Sequence, residues 1–433
     1  MRNLFFTILL ITPRLLIAQN TATEASSLEE LYRQLHAHPE LSFHETETAA
    51  RLAREWREAG FEVTEQVGGN GVVAVLKNGK GPTLLIRTDM DALPVEEATG
   101  LPYASEVTTQ DDAGQEVHVM HACGHDLHMT VAVGTARALS SQRNQWKGTL
   151  VMIGQPAEER SGGANAMLDD GLFTRFPQPD YALALHASPT LEAGKVGYVS
   201  GYALANVDMV DITVHGRGGH GAYPHTTLDP VVLSARLILD LQTIVSREIS
   251  PLEPAVLTVG SIHGGTKGNV IPNEVRMELT LRSYSDEVRN QLIEKIKRTC
   301  HGVALSAGVP DSLLPEIQIR NESTPSVYND PALTEQLQKV FVKTLGSDRV
   351  EQVPPVMAGE DFARYGRQDP KIPIMLFWLG TVSPEKLAAA QQGTLPLPSL
   401  HSAQFAPHYP PAIRTGVQAM TQAALALFNG KKK

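Results

Sequence analysis

Val207-Asp208-Met209-Val210-Asp211-Ile212-Thr213-Val214-His215 is the stretch on which the fold turns. It alternates apolar and polar side chains, the period of a strand with one buried face. A helical pattern follows over residues 229–246, then strands over 255–262 and 274–282. A helix over 285–306 and a last strand over 315–320 complete the run. The order β-α-β-β-α-β is the ferredoxin-like arrangement, at about the size of an inserted domain.

On either side of this segment the pattern is different. Helices are predicted over residues 28–36, where Pro39 stops the run, and over 45–59, where Gly60 does. Strand-like runs cover 72–76 and 83–88, with turn signals Asn78-Gly79 and Gly81-Pro82 between them. Asp126 is the expected N-cap of a helix reaching Leu139. A buried strand over 149–153, a short helix over 164–169 and an apolar strand over 181–185 follow. After the insertion the style resumes with a helix over 331–345, a strand over 372–379 and a helix over 412–428. Strands alternating with helices indicate an α/β layer with a mostly parallel sheet. The expected organisation is a catalytic domain in two parts, residues 19–205 and 321–433, interrupted by an α+β satellite domain over 206–320.

Composition sets the outer bounds. The chain has 433 residues, 42% hydrophobic and 19% charged, ordinary values for a protein with a core. Glycine and proline number 35 and 28, too few for a collagen-like or low-complexity chain. The net charge of −10 and the lack of a basic stripe leave no footprint for nucleic acid. Lys431, Lys432 and Lys433 read as a solvated tail, and 19–27 as a polar linker. Two cysteines, Cys123 and Cys300, cannot build a disulfide scaffold, although one bridge between them is formally open. Arg2 followed by apolar runs over 4–11 and 15–18 reads as an export signal over residues 1–18, too short to span a bilayer. The expected location is secreted or periplasmic, or cytoplasmic if that segment is not a working signal. No other segment is apolar enough for a membrane span.

The chemistry concentrates in a few places. His121-Ala122-Cys123-Gly124-His125-Asp126, with His128 beyond, puts a thiol and an imidazole two residues apart at a helix start. Both can point at one ion, and a helix N-terminus favours the thiolate a metal needs. Packing around a buried cysteine, or cysteine-nucleophile chemistry, are the competing readings. Gln155-Pro156-Ala157-Glu158-Glu159 follows a buried strand, where α/β sheets bind ligands. One carboxylate there can ligate metal while its neighbour takes a proton from water; the plain alternative is a solvated pair. His186 ends an apolar strand and His401 sits in a loop, either of which would be ordinary alone. Together Cys123, His125, Glu159, His186 and His401 can hold two divalent ions if one ligand bridges them.

With these stretches in view the chain resembles the binuclear metallohydrolase family of aminoacylases, carboxypeptidases and succinyl-diaminopimelate desuccinylases. It is most similar to the branch of hippurate hydrolases and auxin-conjugate amidohydrolases. The resemblance is carried by His38-Pro39-Glu40-Leu41, Asp89-Met90-Asp91-Ala92-Leu93-Pro94, residues 121–126, residues 155–159 and Leu185-His186. It continues through Gly216-Arg217-Gly218-Gly219-His220, Asn269-Val270-Ile271-Pro272, Gly359-Glu360-Asp361-Phe362 and Leu400-His401-Ser402. The insertion matches the family's satellite, or lid, domain.

The resemblance implies roles residue by residue. Cys123 would bridge two metal ions, with His125, Glu159, His186 and His401 completing the sites. Glu158 would be the general base that activates water, and His220 on the satellite domain would stabilise the oxyanion, reaching a partner subunit's site. Asn269 and Arg282 would contact the substrate's carboxylate or amide, and Asp89 and Asp91 would orient metal ligands. The implied cofactors are two divalent ions per subunit, Mn²⁺ or Zn²⁺, with Co²⁺ or Ni²⁺ as alternatives. The implied reaction is hydrolysis of a small N-acyl or N-aroyl amino acid by a homodimer joined through the satellite domain. A dipeptidase or carboxypeptidase, and a catalytically silent binding protein of the same fold, are the rival readings.

Overall fold

The computed structural model describes residues 13–430, with side chains described from residue 24 onward. The first apolar run of the expected export signal and the terminal lysines lie outside the described residues. Helix α1 spans Pro13–Ala37 and so absorbs the expected linker over 19–27. Pro13 opens the helix and no glycine or proline follows until Ala37, so nothing in the run breaks it. Next come α2 (Thr46–Glu58), β1 (Glu62–Thr64), β2 (Val72–Asn78), β3 (Thr83–Asp89), α3 (His125–Ser141) and β4 (Gly148–Gln155). Helix α4 (Gly163–Asp169), β5 (Tyr181–Glu192) and β6 (Val196–Tyr198) precede the insertion.

The insertion holds β7 (Asn206–His215), α5 (Pro230–Thr243), β8 (Ala255–His263), β9 (Glu274–Ser283), α6 (Asp286–Ser306) and β10 (Glu316–Thr324). The chain then adds α7 (Pro331–Leu345), β11 (Val350–Gln352), β12 (Ile374–Val382) and α8 (Tyr409–Asn429).

The large sheet runs β1-β2-β4-β3-β5-β12-β6-β11. Its centre is parallel, with β3 between β4 and β5 and β12 beside β5. Parallel strands bring their C-terminal ends to one edge, where Asp89, Gln155 and the loop after it meet. Both faces are covered, as parallel sheets require. One apolar cluster joins the sheet to α1, α2, α3, α7 and α8; the other packs Phe362, Tyr365 and α4 on the opposite face.

The satellite sheet is antiparallel in the order β8-β9-β7-β10, with α5 and α6 sharing its core. Burial alternates along β7, but the phase holds a surprise. Asp208 faces inward with Val210, Ile212 and Val214, its carboxylate gripped by Arg289 at 2.6 and 2.7 Å. Val207 and Met209 face the other way, toward the large sheet's strand ends. The chain enters and leaves the satellite side by side, because the short strands Gly201–Leu204 and Val327–Asn329 pair with each other. Cys123 and Cys300 are both free and buried, and no bridge joins them.

Candidate metal centre

Three turns or loops and one strand, β5, build the centre. Gly124, at φ +84°, turns the chain into α3, which begins at His125 rather than behind Asp126. Asp126 is taken up elsewhere: its Oδ2 lies 2.7 Å from His36 Nδ1, while Glu97 lies 3.1 Å from Nε2. The second segment is the turn after β4, with Ala157 at φ +47° ahead of Glu158 and Glu159. The third is the loop carrying His401, itself left-handed at φ +65° and tied by its N–H to Ala122 O at 2.9 Å. Left-handed backbone at non-glycine residues is costly and collects at functional sites.

His186 lies within β5, not at its end, because β12 pairs alongside it as far as Glu192. The pairing with β3 stops at Ala184, so His186 stands just past the edge of that strand.

Hydrogen bonds decide which ring nitrogens are free. His125 Nδ1 faces the Asp91 carbonyl at 2.8 Å, and a carbonyl only accepts, so Nδ1 carries the proton. His186 Nδ1 donates to Ala187 O at 2.9 Å in the same way. Both rings therefore point a bare Nε2 into the centre. His128 is the reverse case. Its Nε2 accepts the Ala187 N–H at 2.8 Å and its Nδ1 donates to Asp89 at 2.7 Å, which removes it as a ligand. His121 is buried with neither nitrogen bonded, and its pKa falls to about 4 through burial.

The spacing around His125 suits ions rather than hydrogen bonds. His125 Nε2 is buried without a hydrogen bond, yet Asp89, Glu159 and Glu158 oxygens stand 3.7, 3.9 and 4.0 Å away. Those gaps are too long for hydrogen bonds and lie within the roughly 4.0–4.4 Å that two donors could at most span across one ion. Cys123 Sγ lies 3.6 Å from His186 Nε2, and His401 Nε2 lies 3.2 Å from Glu159 Oε1. Donor atoms of Cys123, His125 and His186 fall within 4.8 Å of one another, as do those of Cys123, Glu159 and His401. These sets share the thiol, and the set His125, Glu158 and Glu159 overlaps both. One soft sulfur, imidazoles and carboxylates form a donor set suited to divalent transition metals.

The electrostatics agree. Burial opposes charge on His125, but Asp89, Asp91 and Glu159 outweigh it and push its pKa up to about 10. Burial, followed by Glu159, Glu158 and Asp89, drives the Cys123 thiol well above its usual range. Glu158 is raised strongly by burial, then by Glu360, Glu159 and Asp361. This is a pocket that favours added positive charge.

Behind it lies an ionic network that sequence reasoning missed. Arg87, fully buried, donates to Gln155 at 3.0 Å, Asp89 at 2.6 Å, Glu360 at 2.8 and 3.2 Å, and Asp361 at 3.2 Å. A charged residue directly after the apolar run Leu84-Leu85-Ile86, still within the strand, was the available signal, since buried charges need partners.

The centre opens into a cleft of about 710 Å³ lined by Cys123, Glu158, Glu159, His186, His401 and Arg282, with Val207, Met209, Met357 and Trp378 on its walls. Arg282 is half-buried there, its Nε donating to Thr280 Oγ1 at 3.2 Å. His220 and Asn269 do not line this cleft. Both belong to an exposed ribbon in which Gly221 N donates to Asn269 O at 2.8 Å. Asp91 holds the back of the centre, accepting from Ser42 Oγ at 2.6 Å and Glu159 N at 3.0 Å.

A chain with this split sheet and donor cluster matches the model of "Peptidase family M20/M25/M40" over residues 85–403, and it belongs to that family. It is 37% identical over 347 residues to an N-acetyl-L-cysteine deacetylase of Bacillus subtilis (strain 168), covering 80% of this chain and 79% of that one. It is 38% identical over 337 residues to a hippurate hydrolase of Campylobacter jejuni, covering 77% and 83%. A solved structure from Bacillus subtilis, described as a dinuclear metal binding peptidase of the M20 family, superposes with TM-score 0.76 at 29% identity over 94% of this chain and 99% of that one. The protein is a hydrolase acting on linear amides.

Proposed function

We propose that the protein cleaves the amide bond of N-acyl or N-aroyl amino acids with Glu158 as general base. The observation that carries this reading is the convergence of Cys123, His125, Glu159, His186 and His401 beside Glu158 on one cleft floor. Those five residues would hold a pair of divalent cations, Mn²⁺ or Zn²⁺ by donor type. When bound, such ions polarise a carbonyl and lower the pKa of water. Glu158 takes the proton of the attacking water and returns it to the leaving amine. Arg282, with no carboxylate bonded to it among the described residues, receives the substrate's own carboxylate. Asp91 fixes the His125 ring so that Nε2 faces inward, and the Arg87 network holds Asp89.

His220 is exposed and outside its own chain's cleft, which supports a role in a partner's site. Exposed Val231 and Val232 and the strongly exposed Leu239 on α5, with Ile262 on edge strand β8, offer an apolar face for a second copy of the chain. The charged-then-apolar N-terminus supports export, which cell fractionation tests directly.

The functional test is metal analysis with a panel of N-acetylcysteine, N-benzoylglycine and dipeptides. Chelation is expected to abolish turnover and added Mn²⁺ or Zn²⁺ to restore it. Glu158→Gln is expected to keep its metal and lose about 10²–10⁴-fold in kcat. Full activity in Cys123→Ala after exhaustive chelation refutes the metal reading, and dipeptides outpacing every N-acyl substrate moves the assignment to a dipeptidase. Mixing His220→Ala with Glu158→Ala subunits is expected to regain activity; silent heterodimers refute the role in the partner's site.

A further inference from the structure

Among the described buried carboxylates with no part in the proposed reaction, Glu45 stands beside the turn that bears Glu158. Glu45, fully buried ahead of α2, touches neither the cleft nor any donor of the candidate centre. Its Oε1 accepts two backbone N–H groups at once, from Phe43 at 2.9 Å and from Ala157 at 2.7 Å. Both residues are left-handed, Phe43 at φ +66° and Ala157 at φ +47°. Side chains with a Cβ rarely adopt that conformation without a partner that holds them in it. Asn70 closes the arrangement, donating to Phe43 O at 3.0 Å.

Ala157 immediately precedes Glu158, and the residue immediately after it is pinned as well. Glu159 N donates to Asp91 Oδ2, the oxygen that also accepts Ser42 Oγ. The chain on both sides of Glu158 is thus held from the single segment 42–45, directly through Glu45 and indirectly through Ser42 and Asp91. The same segment packs on the rest of the turn. The Phe43 ring lies where any Cβ on Gly162 would come within 3.0 Å of it, and the Arg160 guanidinium sits 5.6 Å over the ring.

We propose that Glu45 is a positioning residue for the reaction, holding Ala157 in its left-handed conformation so that the Glu158 carboxylate faces the cleft floor. The proposal rests on the reading of Glu158 as the base. Its test varies Glu45 and Ala157 while Glu158→Gln is measured separately, so the two can fail apart. A base displaced by about 1 Å loses on the order of 10²-fold in rate while substrate binding is little changed. Glycine takes a positive φ without assistance, so a glycine at position 157 lessens the need for Glu45.

The experiment measures kcat, KM, metal content and melting temperature for Glu45→Ala, Glu45→Gln and the double variant Glu45→Ala with Ala157→Gly, using N-acetyl-L-cysteine or N-benzoylglycine, whichever the wild type turns over. Glu45→Ala is expected to lose about 10–100-fold in kcat per metal-loaded site, with KM within about threefold. Adding Ala157→Gly is expected to return at least a third of the lost rate on a logarithmic scale. Glu45→Gln, whose amide oxygen still accepts both N–H groups, is expected to stay within about tenfold of wild type. Wild-type kcat in Glu45→Ala, or a loss that glycine at 157 fails to reverse while metal is retained, overturns the proposal. A lowered melting temperature with kcat unchanged marks Glu45 as merely structural and overturns it equally. If Glu45→Ala does not fold, the soluble Glu45→Gln decides: a drop beyond about 30-fold refutes the hydrogen-bond hold.

Discussion

Replacing Arg87 with methionine removes a guanidinium that makes five hydrogen bonds to four side chains, all of them closed to solvent. The acceptors differ in what remains to them. Asp89 keeps His128, and Asp361 keeps Gln155 at 2.6 Å and the Ala164 N–H at 3.0 Å. Glu360 keeps only the Phe362 N–H at 2.9 Å. Leaving buried charge without its partner costs about 3–5 kcal/mol, against a typical total stability of 5–15 kcal/mol. Arg87→Lys keeps the charge but not the planar fork that reaches four acceptors, and is expected to fall between methionine and wild type. Arg87→Met with Glu360→Leu removes the worst-placed carboxylate and is expected to recover part of the loss. The assay is urea unfolding at pH 7 followed by tryptophan fluorescence. Trp56, Trp146 and Trp378 are all buried against the large sheet, so the signal reports that domain rather than the satellite. A midpoint shift equivalent to less than about 1 kcal/mol for Arg87→Met refutes the reasoning, because the network would then be redundant.

Two further outcomes follow from other parts of the molecule. Burial works against charge on His36, but Asp126 and Glu97 raise its pKa from 6.5 to about 9. A histidine raised in the folded state contributes stability that is complete below pH 6.5 and lost as pH rises through 9. That contribution is on the order of 3 kcal/mol. Urea midpoints between pH 6 and 9.5 should fall in the wild type and stay flatter in His36→Gln; parallel curves refute the assignment. Arg282→Ala is expected to lower kcat/KM about 10–100-fold for substrates with a free carboxylate. The same variant should lose nothing further on the corresponding carboxamides, and equal losses on both would remove Arg282 from substrate binding.

Much of the centre was legible because its residues come in dense local groups at strand ends. Cys123 and His125 announce each other across a glycine, and Glu158-Glu159 follow a strand whose burial is plain from Thr149-Leu150-Val151-Met152-Ile153. The split architecture was legible for a similar reason, since the insertion differs in period and element order from what surrounds it. What stayed hidden depends on pairings across long stretches of chain. Arg87 meets Glu360 across 273 residues, and Glu45 meets Ala157 across 112. Neither pairing leaves a local pattern. The expected linker over 19–27 was misread because polar composition masked an unbroken helical run. Asp126 had the right chemistry for a cap, but Gly124 had already made the turn and His36 claimed the carboxylate. The roles expected of His220 and Asn269 came from resemblance alone, and their ribbon stands away from their own cleft.

The paired strands at which the chain enters and leaves the satellite have a mechanical consequence. Leu204 lies beside Val327 there, so entry and exit of the insertion are held at one place, and Arg364 and Arg367 add bonds to Ser323 O and Asp286 of the satellite. The satellite wall of the cleft, with Val207, Met209 and Arg282, faces the floor that bears Cys123 and His401, so the angle at those strands sets the width of the cleft. A pair of spectroscopic labels, one on β10 and one in the loop near Leu400, would read that width as a single distance.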